Sequence, residues 1–373
     1  MSTTQKMLIL ALLMVSFILN PTVSSAAVKK STFYYPNNKN CGEYCSAKLS
    51  LGADGSVYEV FSRPEYGRIT ALTSSGKMKF NYIAAKGIFP AYFPAASSNK
   101  TVYASFSKDN YRDGAILAIN EKGNKIWQYN VTGGVPSKSV VGKDGTIYFG
   151  QGNYTEMYGP YNSSYLYALT PQGKLKWKVK LAGDTLISDI QIDKNGTLYN
   201  DAITMDDTVM LYAISSKGKV KWLKKNAFKP QLGSNSILHY LDGKGNLVAE
   251  DLYGKKKWSY KVQGYPEFKI DQQGMVFVKN EKSLVAISNG IKKWSKTIET
   301  GGMWNSDWLL TNTHLYLGID TYDSGSQLYR FELKTGKTSW ATQEKTGVDS
   351  FLIDSKGNLL SSFSYGKTFS FDF

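Results

Sequence analysis

Leu166-Tyr167-Ala168-Leu169-Thr170-Pro171-Gln172-Gly173-Lys174-Leu175-Lys176-Trp177 is the phrase that decides the fold. Four apolar residues are followed by a short polar turn, a glycine and, four residues after the glycine, an indole. The phrase returns along the chain. Ile116-Leu117-Ala118-Ile119 leads to Gly123 and Trp127, and Leu211-Tyr212-Ala213-Ile214 leads to Gly218 and Trp222. Ile69-Thr70-Ala71-Leu72 leads to Gly76, with Phe80 in the aromatic place. Gly254 with Trp258, Gly290 with Trp294 and Gly336 with Trp340 complete a set of seven. Steps of 36 to 50 residues between the aromatics are the size of one propeller blade.

A second phrase stands before many of these units. Asp54-Gly55, Asp144-Gly145 and Asn195-Gly196 each precede a β-prone run, and Gln273-Gly274 and Lys356-Gly357 are variants. Such dipeptides are hairpin signals, because glycine accepts the positive φ of the turn. Each unit therefore reads as four short antiparallel strands, A to D. In the third unit these are expected near 139–142, 146–149, 164–169 and 174–180. No 3.6-residue apolar period runs through the units, so a helical repeat is excluded.

The seven phrases leave a remainder. Residues 348–354, 358–363 and 368–373 supply three more strands, and the last, Thr368-Phe369-Ser370-Phe371-Asp372-Phe373, alternates strictly. The blade is one strand short. Ser31-Thr32-Phe33-Tyr34-Tyr35 is β-prone and belongs to no unit. The expectation is an all-β, eight-bladed propeller whose ring is closed by this N-terminal strand. The alternative is seven blades with an irregular last segment.

The WD and Gly-His signatures of WD40 blades are missing. The Leu-x-Ala-x…Gly-Lys-x-x-Trp phrase instead resembles the tryptophan-docking repeat of pyrroloquinoline-quinone-like (PQQ-like) propellers, and Lys334-Thr335-Gly336-Lys337-Thr338-Ser339-Trp340 matches it best. The resemblance covers most of residues 46–373. It implies that Phe80, Trp127, Trp177, Trp222, Trp258, Trp294 and Trp340 pack between neighbouring blades. It also raises a quinone-dependent dehydrogenase, in which quinone and calcium occupy the central funnel, often above adjacent cysteines. Here Cys41 and Cys45 are separated by three residues, and no calcium-ligand set can be matched. Asp193-Lys194-Asn195-Gly196 reads as a hairpin turn. No cofactor, metal or catalytic residue is expected.

The N-terminus carries Lys6, an unbroken apolar run over 7–19, and small residues Ser24-Ser25-Ala26-Ala27. This is the pattern of a signal peptide, 1–26, and the run is too short for a bilayer span. The expected organisation is signal peptide, a segment 27–45 holding the closing strand and cysteine loop, and a propeller over 46–373. The product is expected outside the cytoplasm, secreted or periplasmic, and monomeric. There, a disulfide between Cys41 and Cys45 is plausible, with free thiols as the alternative.

The formal charge is +15. Many lysines fall on the predicted outermost strands D, where lysine discourages edge-to-edge pairing. An anionic partner such as wall polymer is the alternative, and no nucleic-acid motif is present. Loops between strands B and C, and between D and A, share one face and are the richer ones. They offer Tyr66, Tyr111, Arg112, Tyr154, Tyr158, Tyr161, Trp304, Trp308 and Tyr322 as binding candidates, because recognition concentrates on scaffolded loops rich in aromatics. The functional expectation is a non-catalytic scaffold for a protein or peptide partner, with a wall- or polysaccharide-binding module as the alternative.

Overall fold

A computed structural model describes residues 29–34 and 47–372, apart from 53–54, 64–65, 92–94, 97–99, 109–112, 153–163, 183–184, 187–188, 205, 265, 299–306, 322–324, 345–347 and 364–366. The described residues form eight antiparallel sheets, each four strands deep. Blade 1 runs through Ala47–Leu51, Val57–Arg63, Tyr66–Leu72 and Met78–Ile83. In blades 2, 3 and 4 the innermost strand is split into two short pieces, as in Val135–Pro136 and Val140–Val141 of blade 3. The third blade continues with Ile147–Gly152, Tyr165–Leu169 and Leu175–Lys180, close to the expected bounds. Blade 8 is built from Val348–Ile353, Leu359–Phe363 and Lys367–Asp372, with Lys29–Tyr34 as its fourth and outer strand. That outer pairing is antiparallel, with Lys29 opposite Asp372 and Ser31 opposite Ser370.

Strands B and C are buried on both faces, as in Val102–Lys108 and Asp113–Ile119. Strands D are half-exposed, with an alternation from the second residue on in Leu175–Lys180, Val220–Lys225 and Lys256–Lys261. In blades 2 to 6 the half-buried face of strand D carries the aromatic of the repeat.

One cross-strand row explains the repeat. Tyr103, Ala118 and Trp127 lie side by side on strands B, C and D of blade 2. Tyr148, Ala168 and Trp177 do so in blade 3, and Tyr199, Ala213 and Trp222 in blade 4. The alanine is small enough to let the two rings meet across it, at 5.7 Å between centroids in blade 2 and 5.8 Å in blade 3. The indole then reaches the next blade. Trp127 Nε1 donates to Pro171 O at 2.9 Å, Trp177 Nε1 to Ser216 O at 2.8 Å, and Trp294 Nε1 to Leu333 O at 2.8 Å. The acceptors lie in the C–D turns, beside the repeat glycines. A flat apolar ring with one donor suits a junction that is dry on its face and polar at its rim.

The docking rule has three departures. Gly254 has no neighbouring atom where the Trp222 ring would be expected. In blade 5 the strand-B aromatic is replaced by His239, buried against Trp258 with Nδ1 unpartnered and its pKa pushed down to about 4 by burial. In blade 7 Arg330 replaces the alanine between Tyr316 and Trp340; the Trp340 side chain lies outside the description. Asp193 is the hairpin residue it was read as, its Oδ1 accepting from the backbone N–H groups of Asn195 and Thr197, both at 2.8 Å.

Side chains also latch the inner strands around the ring. Ser105 Oγ donates to Ser137 O, Asp201 accepts from Lys229 N at 2.7 Å, and Asp307 accepts from Phe351 N at 2.9 Å. The last latch joins blade 8 to blade 1, where Leu49 N donates to Ser350 Oγ at 3.0 Å. Leu49, Val57, Leu72 and Leu360 form the apolar part of that seam.

The rest of the seam is polar. Glu59 is fully buried beside Arg68, Nη2 to Oε2 at 3.4 Å, and Thr368 of blade 8 approaches the carboxylate. Burial outweighs the guanidinium and pushes the Glu59 carboxyl up to about 7. An unfolded glutamate ionises near 4.5. Between these values the folded state holds a proton that the unfolded chain has released, so raising the pH favours the unfolded chain. Urea midpoints should therefore fall from pH 4.5 to 7, and Glu59→Gln should flatten that slope. An identical slope in the variant would remove Glu59 as its source.

Candidate functional site

Chain alternation places the A–B and C–D turns on one face and the B–C and D–A connections on the other. The first set is tight and mostly glycine-defined, with positive φ at Gly55, Gly76, Gly123, Gly145 and their equivalents. The second face opens onto the funnel formed by strands A.

Most of the expected binding residues lie outside the described residues: Tyr111, Arg112, Tyr154, Tyr158, Tyr161, Trp304 and Tyr322, and with them Cys41 and Cys45. Tyr66 opens strand C of blade 1 rather than standing in a loop, and its side chain is not described. Trp308 is described, and it too is the first residue of a strand, Trp308–Leu310 of blade 7. It is 4% exposed. It packs in the apolar core between blades 6 and 7, with Phe277, Leu315 and Leu317, and is not a loop-tip anchor.

What surrounds Trp308 follows from strand geometry. Strand A of blade 6, Glu267–Ile270, alternates charged and apolar residues, so Glu267 and Lys269 share one face. Lys279 lies directly opposite Glu267 on strand B. These three side chains clasp the indole. Trp308 Nε1 donates to Glu267 Oε2 at 3.0 Å, and Lys279 Nζ sits 3.3 Å from the same carboxylate oxygen. Lys269 Nζ lies 5.2 Å from the ring centroid and Lys279 Nζ 5.8 Å. The two cations face an aromatic quadrupole that attracts them.

Asp307 sets the entry to this strand. Its Oδ1 accepts from Trp308 N at 2.8 Å, and its Oδ2 from Phe351 N of blade 8. Burial raises its pKa above the usual carboxylate range, with Lys269 opposing. Burial likewise lowers the Lys269 ammonium, against the pull of Asp307 and Glu267. Lys138 of blade 3 is near enough for its charge to push Lys269 the same way; it pairs with Asp189 of blade 4 at 2.8 Å. Strand A of blade 5 is bound to this region too, with Lys229 Nζ donating to Pro266 O at 3.2 Å and Gln231 donating to Phe268 O.

Lys269 is the distinctive member. It rests on the indole, partly desolvated, and among the described residues no carboxylate reaches it at ion-pair distance. An ammonium so placed offers its remaining donors to an acceptor entering the funnel. A carboxylate there would gain a charge-assisted hydrogen bond in a partly desolvated setting. Sequence reading singled out Trp308 but not Glu267, Lys269 or Lys279. The available signal was Glu267-Phe268-Lys269-Ile270 itself: charges in an innermost strand have no rim to occupy.

The model of the family described as outer membrane protein assembly factor BamB matches residues 46–230 and 112–342. No curated protein matches the sequence. Among solved structures, BamB from Moraxella catarrhalis is similar with a TM-score of 0.63 at 12% identity, covering 87% of this chain and 94% of that one. Sqt1 from Saccharomyces cerevisiae has a TM-score of 0.64 at 10% identity, covering 92% and 99%. A streptogramin B lyase has a TM-score of 0.51 at 14% identity, covering 92% and 97%. At these identities the likeness is one of fold. The family model spans most of the propeller, and the chain belongs to the PQQ-like repeat family described by BamB.

Proposed function

We propose that the chain is a non-catalytic scaffold, working outside the cytoplasm, that binds an extended peptide segment of a protein partner across the funnel of blades 6 to 8. The observation that supports this most directly is Lys269 held on Trp308. It suits an acidic side chain or a terminal carboxylate, with the buried indole fixing the position of the ammonium. A family described by an assembly factor fits such a role. The family's outer-membrane description and the apolar run over 7–19 support the location.

Panning a random dodecapeptide library against the immobilised protein tests the reading. Enriched peptides should share an acidic residue beside an apolar one. Lys269→Gln should weaken them by about 10-fold or more, the value of one charge-assisted hydrogen bond. Trp308→Ala should do at least as much. Peptides held equally by both variants would overturn the site, and an acid-free consensus would overturn the chemistry.

A further inference from the structure

The outermost strands are not alike. From the turn glycine to the strand end, blades 3 to 6 read GKLKWKVK (173–180), GKVKWLKK (218–225), GKKKWSYK (254–261) and GIKKWSKT (290–297). They carry fifteen lysines and no Asp or Glu. The same stretch reads GKMKFNYI (76–83) in blade 1, GNKIWQYNVT (123–132) in blade 2 and GKTSWATQE (336–344) in blade 7. All seven are outer strands with an edge to protect, and one or two lysines serve blades 1, 2 and 7. Edge protection therefore does not account for the surplus in four consecutive blades.

The surplus also lies at the surface and is largely uncompensated by carboxylates. Fourteen of the fifteen are exposed; Lys224 is the exception. Three are ion-paired: Lys176 with Asp144 at 3.3 Å, Lys224 with Glu250 at 2.9 Å and Lys257 with Asp251 at 2.9 Å. The others have no carboxylate partner among the described residues. In blade 3, Trp177 and Val179 face the next blade, and Lys176, Lys178 and Lys180 stand exposed on the opposite face, about 7 Å apart, with Lys178 Nζ 4.0 Å from the Tyr165 ring. Uncompensated like charges at this spacing repel one another, and a polyanion would relieve that repulsion.

We propose that the outer strands of blades 3 to 6 form a binding band for a flexible linear polyphosphodiester of the glycerol-phosphate type. The shape selects the polymer. The band follows the convex circumference of the ring, so a flexible chain can track it from blade to blade, whereas a planar bilayer meets it only along a tangent. The exposed apolar residues of these stretches are Leu175, Val220, Leu223 and Ile291; among the described residues Tyr253, in the turn before the blade 5 strand, is the one exposed ring beside the band, too few for the run of stacked bases that a nucleic acid needs.

The test compares poly(glycerol phosphate) with phosphatidylglycerol vesicles at equal phosphate, which hold the headgroup chemistry and change the geometry. The protein should prefer the polymer. A variant with Lys180→Glu, Lys225→Glu, Lys256→Glu and Lys293→Glu should lose about 100-fold in polymer affinity at low salt. The slope of log affinity against log salt should shrink by about three. Lys86→Glu, Lys122→Glu, Lys334→Glu and Lys337→Glu, with the same change of net charge, should stay within about three-fold of the parent. Equal losses in the two variants would mean bulk charge alone and overturn the band; vesicles held as tightly as polymer would overturn the occupant. Peptide binding in the funnel should survive both sets of substitutions, so the two proposals fail separately.

Discussion

Gly173→Ala is expected to destabilise the protein by about 3–5 kcal/mol, while Gly254→Ala should cost only about 1–2 kcal/mol. Both glycines close C–D turns with positive φ, +78° and +86°. The backbone penalty for a Cβ in the left-handed region is thus common to the pair. The surroundings differ. A Cβ on Gly173 would stand 2.6 Å from Cδ2 of Trp127, whereas one on Gly254 meets nothing within 4 Å. The Trp127 indole can retreat only by giving up contacts, being packed against Tyr103 and tied through Nε1 to Pro171 O. Overpacking a junction of this kind costs about 1–3 kcal/mol beyond the backbone term. Breaking the indole hydrogen bond adds about 1 kcal/mol. Urea midpoints of the two variants, measured together, isolate the docking contact from the turn. Equal losses would mean that the glycine is there for its φ alone and that the tryptophan does not hold neighbouring blades together. Gly218 and Gly336, with Trp177 and Trp294 at 2.8 Å and 2.6 Å, should behave like Gly173.

The same pair shows what a sequence can and cannot disclose. Glycine, aromatic and spacing are identical at Gly173–Trp177 and Gly254–Trp258, because the turn and strand D are local and their signals lie within a dozen residues. Whether the preceding blade's indole reaches that glycine depends on how two blades approach, which no single phrase encodes. Blade number was legible for the first reason: Lys367–Asp372 alternates and the turns announce themselves. The funnel was not. Glu267 and Lys279 are neighbours by strand register, but Trp308 and Asp307 come from the next blade and Lys138 from across the ring. Trp308 was read as a loop residue because it follows the glycine-rich stretch at 301–302; its partner, Glu267, lies 41 residues upstream. The rim lysines were visible as a class, but their crowding into four successive outer strands gained meaning only once the blades were placed in order.

Deleting residues 28–36 is expected to lower the melting temperature by about 10 °C, at about 2–4 °C per kcal/mol for a chain of this size. The deletion removes the whole outer strand of blade 8, and with it the pairing of Lys29–Tyr34 to Lys367–Asp372. Each lost backbone bond is worth about 1 kcal/mol. The strand left behind, with Phe369 and Phe371 at alternate positions, becomes an unguarded edge. Complete unfolding is not expected. The inner seam survives, since Leu49 still donates to Ser350 and the leucines of blades 1 and 8 still pack. Amide exchange should accelerate first over 348–372 and only later in blades 3 and 4, as expected of an array whose units lean mainly on their neighbours. A second variant separates strand pairing from ring closure. Moving the deleted strand to the C-terminus, after Phe373 and a tight turn, would restore the antiparallel neighbour but not the covalent link from blade 8 to blade 1. Full recovery would make the strand an edge cover and nothing more. Partial recovery would assign the remainder to the link itself, because a blade woven from both ends of the chain cannot detach without unthreading one of them. An unchanged melting temperature on simple deletion would remove the closing role altogether and leave the ring to its inner latches.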